Sequence, residues 1–138
     1  MLTGPTNRPL NQIVATVFGA VYLVVCVLGF LVASHGFAAT TGGKLVGLFE
    51  VNPLHNIAHL LIGAVLVASV RLLASARAAS TVIGAAYLLL GVVGLFILSS
   101  DVNILALNSW DNVLHFVSAA LLLAAGVCAD KRTSVRFS

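Results

Sequence analysis

Apolar residues run along this chain in four long stretches, and the charged residues fall between them. No Asp, Glu, Lys or Arg interrupts the segments between Arg8 and Lys44, Glu50 and Arg71, Arg77 and Asp101, or Asp111 and Asp130, which hold 35, 20, 23 and 18 residues. An α-helix needs about 20 apolar residues to cross roughly 30 Å of hydrocarbon. Each segment has room for one crossing, and the first has room for a long loop as well. The pattern predicts an all-α integral membrane protein, a single domain over 1–138 with helices at 12–33, 53–74, 79–99 and 110–129. The first stretch reads as a retained helix, because Ile13–Ala33 runs 21 residues and a signal peptide's apolar region runs about 7–15.

The stretches repeat. Shifting residues 17–31 by 65 superposes Val17, Gly19, Ala20, Tyr22, Leu23, Val27 and Gly29 on Val82, Gly84, Ala85, Tyr87, Leu88, Val92 and Gly94, 7 identities in 15. Shifting 52–66 by 56 superposes Asn52, Asn56 and His59 on Asn108, Asn112 and His115, with His55 meeting Asp111. The chain therefore reads as a tandem duplication of a helical hairpin, with halves at 12–74 and 79–129. A parallel repeat places its pseudo-twofold axis along the membrane normal, and two such hairpins make a four-helix bundle. The small residues of the repeat, with Gly19, Tyr22 and Gly29 in one half and Gly84, Tyr87 and Gly94 in the other, form stripes suited to close helix approach around that axis. The alternative is a groove over the glycines that admits a flat ligand, with the Tyr22 and Tyr87 hydroxyls as donors.

Composition agrees with the pattern. The chain is 60% hydrophobic and 8% charged, with a mean hydropathy of +1.11, against about 25% charged residues in a soluble domain. A soluble globule and a nucleic-acid binder are excluded. The two cysteines, Cys26 and Cys128, have no CxxC spacing. The bases set an orientation. Arg8, Arg71, Arg77, Lys131, Arg132 and Arg136 gather on one side, and Lys44 with Glu50, Asp101 and Asp111 on the other. Both termini are expected in the cytoplasm, the protein in the inner membrane, and the loops at 34–52 and 100–109 outside.

The candidate chemistry lies at the outer ends of the second and fourth helices. Asn52 before Pro53, and Asn108 with Asp111 three residues on, are helix-start signals. Capping does not account for the histidines. His55 and His59, like Asp111 and His115, are spaced i, i+4 on one helical face, and His59 and His115 lie about 10 Å beyond the caps. Ionisable groups at that depth usually face the bundle interior and serve a function. His55, His59, Asp111 and His115 are a candidate metal set for a Zn, Cu or Fe ion, with Asn52, Asn56, Asn108 and Asn112 available to orient it. Two other readings stay open: a ligand-free hydrogen-bond network, and haem held axially by His59 and His115. His35 reads as a solvated loop residue, Glu50 as a surface charge and Trp110 as an interfacial anchor. No nucleophile motif, phosphate loop or HExxH is present, so no reaction is indicated.

The run Phe49-Glu50-Val51-Asn52-Pro53-Leu54-His55-Asn56-Ile57-Ala58-His59-Leu60-Leu61-Ile62-Gly63, an NPxHNxxH motif, resembles the signature of a family of small four-helix membrane proteins, common in actinobacteria and catalogued as a domain of unknown function. The resemblance covers nearly the whole chain and implies a fold and a location, with no activity attached. Two roles follow from the residues. One is a multi-pass membrane protein with a polar, metal-binding site beneath its outer face. The other is an accessory or assembly subunit of a larger membrane complex, or a homo-oligomer, in which the histidines are structural. Transport would need a path open to both sides.

Overall fold

A computed structural model describes residues 8–131. Arg132 and Arg136, which enter the expected orientation, lie outside the described residues. The elements are α1 (Leu10–Val32), β1 (Gly43–Leu45), β2 (Phe49–Val51), α2 (Pro53–Ser69), α3 (Leu73–Ile97) and α4 (Ser109–Leu123), the last continued by a π-helical turn, Ala124–Cys128. Three helices are long and apolar enough to cross a membrane: Leu10–Val32, Leu73–Ile97 and Ser109–Cys128. α2 is apolar but has 17 residues, a length of about 26 Å.

The turn between α2 and α3 falls at 70–72, earlier than the charges at Arg71 and Arg77 indicate. The run Ala74-Ser75-Ala76-Arg77-Ala78-Ala79 favours helix, so α3 extends back through it. Ala76 is fully buried, and Arg77 donates through Nε to the Gly126 carbonyl at 3.4 Å. A second difference lies in the 34–52 loop, which contains a β-hairpin. Gly43 pairs with Val51, Lys44 with Glu50 and Leu45 with Phe49. Its three-residue turn takes Val46 and Gly47 to positive φ, 48° and 76°, which glycine adopts freely and valine does not.

α1 packs along α2, and α3 along α4, so the chain forms two helical hairpins. Glycines decide how closely. A Cβ on Gly19 would stand 2.8 Å from Val67 Cγ2 and 3.2 Å from the Gly63 carbonyl, and one on Gly84 would stand 2.9 Å from the Leu123 nitrogen. A Cβ on Gly29 would overlap the side-chain amide of Asn56, and one on Gly94 that of Asn112. The small-residue stripes thus serve contacts within each hairpin. Between the hairpins α3 packs on both α1 and α2, and the tyrosines meet at the centre. Tyr22 of α1 and Tyr87 of α3 stack with ring centroids 5.5 Å apart and planes 14° from parallel. Around them lie Ala15, Leu66, Ala76, Ile83, Ala119 and Leu122.

At the end of the bundle where α1 begins, Asp130 reaches across from beyond the π-helical turn to the first residues of α1. Its carboxylate accepts from the backbone N–H of Leu10 (3.1 Å) and Asn11 (2.8 Å) and from Asn11 Nδ2 (3.0 Å), and Asn11 Nδ2 also donates to the Ala125 carbonyl (2.8 Å). The first turn of a helix leaves N–H groups free, and here a distant carboxylate supplies the acceptor.

Candidate functional site

The opposite end is organised by asparagines. Asn52 Oδ1 accepts the His55 N–H at 2.8 Å, capping α2, while its Nδ2 donates to the carbonyls of Ala39 (2.7 Å) and Ile104 (2.8 Å), one in each long loop. Asn108 caps α4 through the Asp111 N–H (2.9 Å) and donates to the Leu48 carbonyl (2.7 Å). Asp111 completes a capping box by accepting the Asn108 N–H (2.9 Å) and also accepts the Glu50 N–H of β2 (3.2 Å). Caps and loop ties use the same side chains, so the β-hairpin is held over the ends of α2 and α4. Glu50, expected as a surface charge, accepts the Gly42 N–H at 2.9 Å. Asn103, which carries no motif, knits the second loop through Leu98 and Leu107.

Beneath this roof lie three histidines. His55, His59 and His115 are 2%, 7% and 3% exposed, and each leaves its Nδ1 buried without a hydrogen-bond partner among the described residues. His55 is central, with ring centroids 4.5 Å from His59 and 6.2 Å from His115. His59 stacks on Tyr22 at 5.6 Å, and His115 tilts against Tyr87 at 5.3 Å. The five rings close a loop, His59–Tyr22–Tyr87–His115–His55, in which His55 neighbours both other histidines. Among the described residues, no three His, Cys, Asp or Glu groups are already drawn together to hold a metal ion. Asn56 and Asn112 turn away from the imidazoles, toward Gly29 and Gly94, and Asn112 Nδ2 donates to the Gly91 carbonyl at 3.0 Å. His35 stands outside the cluster, exposed, with Nδ1 2.9 Å from Ser34 Oγ.

The cluster forms one wall of a cavity of about 270 Å³. Val21, Val25 and Leu28 of α1 and Leu114 of α4 line its sides, Leu45, Val46, Phe49 and Val51 of the β-hairpin cover it, and His55, His59, Asp111, His115 and Ser118 provide its polar wall. α1 and α4 part here because little holds them together at this level. Below, the Tyr22 hydroxyl donates to Ser118 Oγ at 2.9 Å, and the Asn11–Asp130 contacts close the far end. Val21, Leu28 and Leu114 at the mouth are each more than 40% exposed, so the opening is lateral and apolar. Ser118 is the residue that sequence reasoning misses. Its signal was its place three residues after His115, on the same helical face.

The family described as a domain of unknown function, DUF4383, matches residues 12–128. The chain belongs to this family. No curated protein and no solved structure matches the chain. Within the DUF4383 region fall α2, α3 and α4, all of α1 but Leu10 and Asn11, the β-hairpin roof and every residue of the cavity wall. Asp130, which ties the segment after α4 to the start of α1, falls just beyond it.

Proposed function

We propose that this DUF4383 protein is a multi-pass inner-membrane protein that binds a small, membrane-soluble molecule in the cleft between α1 and α4, its polar end against the histidines. The single observation that carries this reading is the grouping of three buried imidazoles with Asp111 and Ser118 on the wall of an otherwise apolar, laterally open cavity. Clefts between the helices of a bundle, apolar with a few placed polar groups, are common ligand sites. The four-helix chain is read as a duplicated hairpin with both termini cytoplasmic, supported by the repeat of Asn52, Asn56 and His59 at Asn108, Asn112 and His115 and by the side on which the bases lie. In that orientation the cleft opens to the outer leaflet.

The test is extraction. Wild-type protein purified in mild detergent is expected to release a stoichiometric small molecule into organic solvent, identified by mass spectrometry. A Val25→Phe/Leu114→Phe variant, which fills the cleft from both sides, is expected to release none. Equal recovery from both, or from neither, overturns the reading.

A second reading retains His55, His59, His115 and Asp111 for a transition-metal ion, and the three unpartnered Nδ1 atoms favour it. Imidazoles bound to one Zn ion place their nitrogens about 2.0–2.1 Å from it, so the rings would have to turn inward from their present positions. Under this reading a strong chelator lowers the melting temperature of the wild type and leaves His59→Ala and His115→Ala unchanged. A melt indifferent to chelator in all three, with no metal found by elemental analysis, eliminates it.

A further inference from the structure

We propose that the β-hairpin and the two outer loops are seated in the outer leaflet of the bilayer, as a shallow cap whose exposed face meets lipid and not bulk water; this rests on the multi-pass reading above.

Helix length sets the depth. α2 has 17 residues and rises about 26 Å, while the hydrocarbon layer is about 30 Å thick. Arg71, exposed in the turn at the far end of α2, has to reach the head groups, because a charge within hydrocarbon is costly. With that end fixed, Pro53 stops roughly 4 Å short of the outer edge of the hydrocarbon, and the head-group layer adds about 5–7 Å. A tilted helix stops lower still. The cap sits directly on this level. β2 ends at Val51, just before Asn52 and Pro53. Its Glu50 N–H bonds to Asp111 in the first turn of α4, and the Leu54 N–H donates to the Phe37 carbonyl at 3.0 Å.

Backbone accounting fits that depth. Irregular backbone is tolerated in the membrane only where its polar groups are satisfied from within the protein. Three asparagine side chains meet that need. Asn52 donates to the carbonyls of Ala39 and Ile104, Asn108 to that of Leu48, and Asn103 to those of Leu98 and Leu107. Loops in water leave such carbonyls to the solvent.

Surface chemistry points the same way. Among the described residues, the three most exposed large apolar side chains are Phe96, Leu31 and Val46, at 80%, 78% and 74%, and all three stand at this end. Phe37 and Leu48 of the first loop and Val102 and Ile104 of the second are exposed too. Lys44 and Asp101 are the exposed charges among them, since Glu50 is half-buried on the Gly42 N–H. Exposed apolar surface of this extent marks a protein or a membrane contact. Continuity decides for the membrane. Val46, at the tip of the hairpin, lines the same lateral opening as Val21 and Leu28 of α1, and Leu31 and Phe96 carry the apolar belt of α1 and α3 up to the loops. Trp110, exposed at the start of α4, is of a type that gathers at the membrane–water boundary. Under such a cap the α1/α4 cleft is entered from lipid.

Spin-label accessibility of the full-length protein in phospholipid nanodiscs tests this. In a Cys26→Ala/Cys128→Ser background, Val46→Cys, Val102→Cys, Leu89→Cys and Lys131→Cys each carry one nitroxide. Oxygen concentrates in hydrocarbon and a neutral nickel chelate stays in water, so the ratio of their collision rates reports depth. Leu89, outward-facing within α3, sets the lipid value, and exposed Lys131 the aqueous one. The ratios at Val46 and Val102 are expected nearer to that of Leu89. Leu48→Cys and Ile104→Cys replace them if either variant does not fold. If the cap positions give the Lys131 value while Leu89 keeps the lipid one, the cap stands in water and this proposal fails with the multi-pass reading intact. If Leu89 gives the aqueous value as well, both fail. Cap labels shielded from both reagents mean that a second copy or another protein covers the face, and that overturns the lipid assignment.

Discussion

Between α2 and α3 the two hairpins pack side by side; between α1 and α4 they part above the level of Tyr22 and leave a cavity. Under the duplication proposed above the two seams are counterparts, and a few side chains differ between them. In that register Ala86 and Ala58 correspond to Val21 and Leu114, and Ile62 to Ser118. Small residues let helix backbones approach, and Ile62 and Leu90 pack onto the central core. In the open seam, Val21 and Leu114 stand at the mouth of the cavity, and Ser118 holds the place of the apolar Ile62. The β-hairpin belongs to the first loop alone and covers only the open seam. A cleft thus arises by withholding packing from one of two matched interfaces.

Opening the closed seam is the strongest way to test that account. Ile62→Ser gives it the residue of the open one. Truncating a core isoleucine costs about 2–5 kcal/mol, and a half-buried one belongs at the low end. The introduced hydroxyl finds no counterpart of Tyr22 unless Tyr87 supplies it, and the Tyr87 hydroxyl is buried without a partner. A clear fall in melting temperature is expected. A variant as stable as wild type would mean that Tyr87 has taken the new serine as Tyr22 takes Ser118, and that side-chain filling does not distinguish the seams.

Closing the open seam should move stability less and binding more. Ser118→Ile deprives the Tyr22 hydroxyl of its acceptor, a cost of about 1–3 kcal/mol. Burial of the new apolar side chain offsets about 1.5–3 kcal/mol. The melting temperature is therefore expected to stay near wild type while the co-purifying molecule is lost. Retention of that molecule with an unchanged melt would place the binding site away from the polar wall.

Reading the sequence recovers the two hairpins and the residues of the polar wall, and does not recover the cleft. Charges mark membrane-length helices plainly, because few residues can stand in for them there. His55, His59, Asp111 and His115 stand out because capping explains their neighbours and leaves the histidines over. The turn at 70–72 is hidden by Arg71 and Arg77, which draw attention to the wrong residues, while helix propensity from Ala74 onward sets the boundary. The tyrosines are visible as repeat positions, yet which rings they stack on depends on the crossing of the two hairpins. The hairpin over the cleft leaves a faint signal, Lys44-Leu45 and Phe49-Glu50 around Gly47, too short to separate from loop by pattern alone.

The smallest effect is expected where the open seam is pinned at its far end. Asp130 holds the start of α1 through the N–H groups of Leu10 and Asn11, and those donors, chiefly the Asn11 backbone, keep its carboxyl below the ordinary aspartate range. A carboxyl with a depressed folded pKa contributes its full stabilisation above the unfolded value of about 3.9 and loses it as pH falls through the folded value. Asp130→Asn preserves size and tolerates the positive φ of 52° at this position, so it isolates the charge. The variant should melt slightly below wild type at neutral pH, by an amount that holds constant down to about pH 5 and shrinks below about pH 4. The cleft at the opposite end should bind as before. A melting difference that persists undiminished in acid would show that shape rather than charge pins the seam, and lost binding would show that the two ends of α1 and α4 move together.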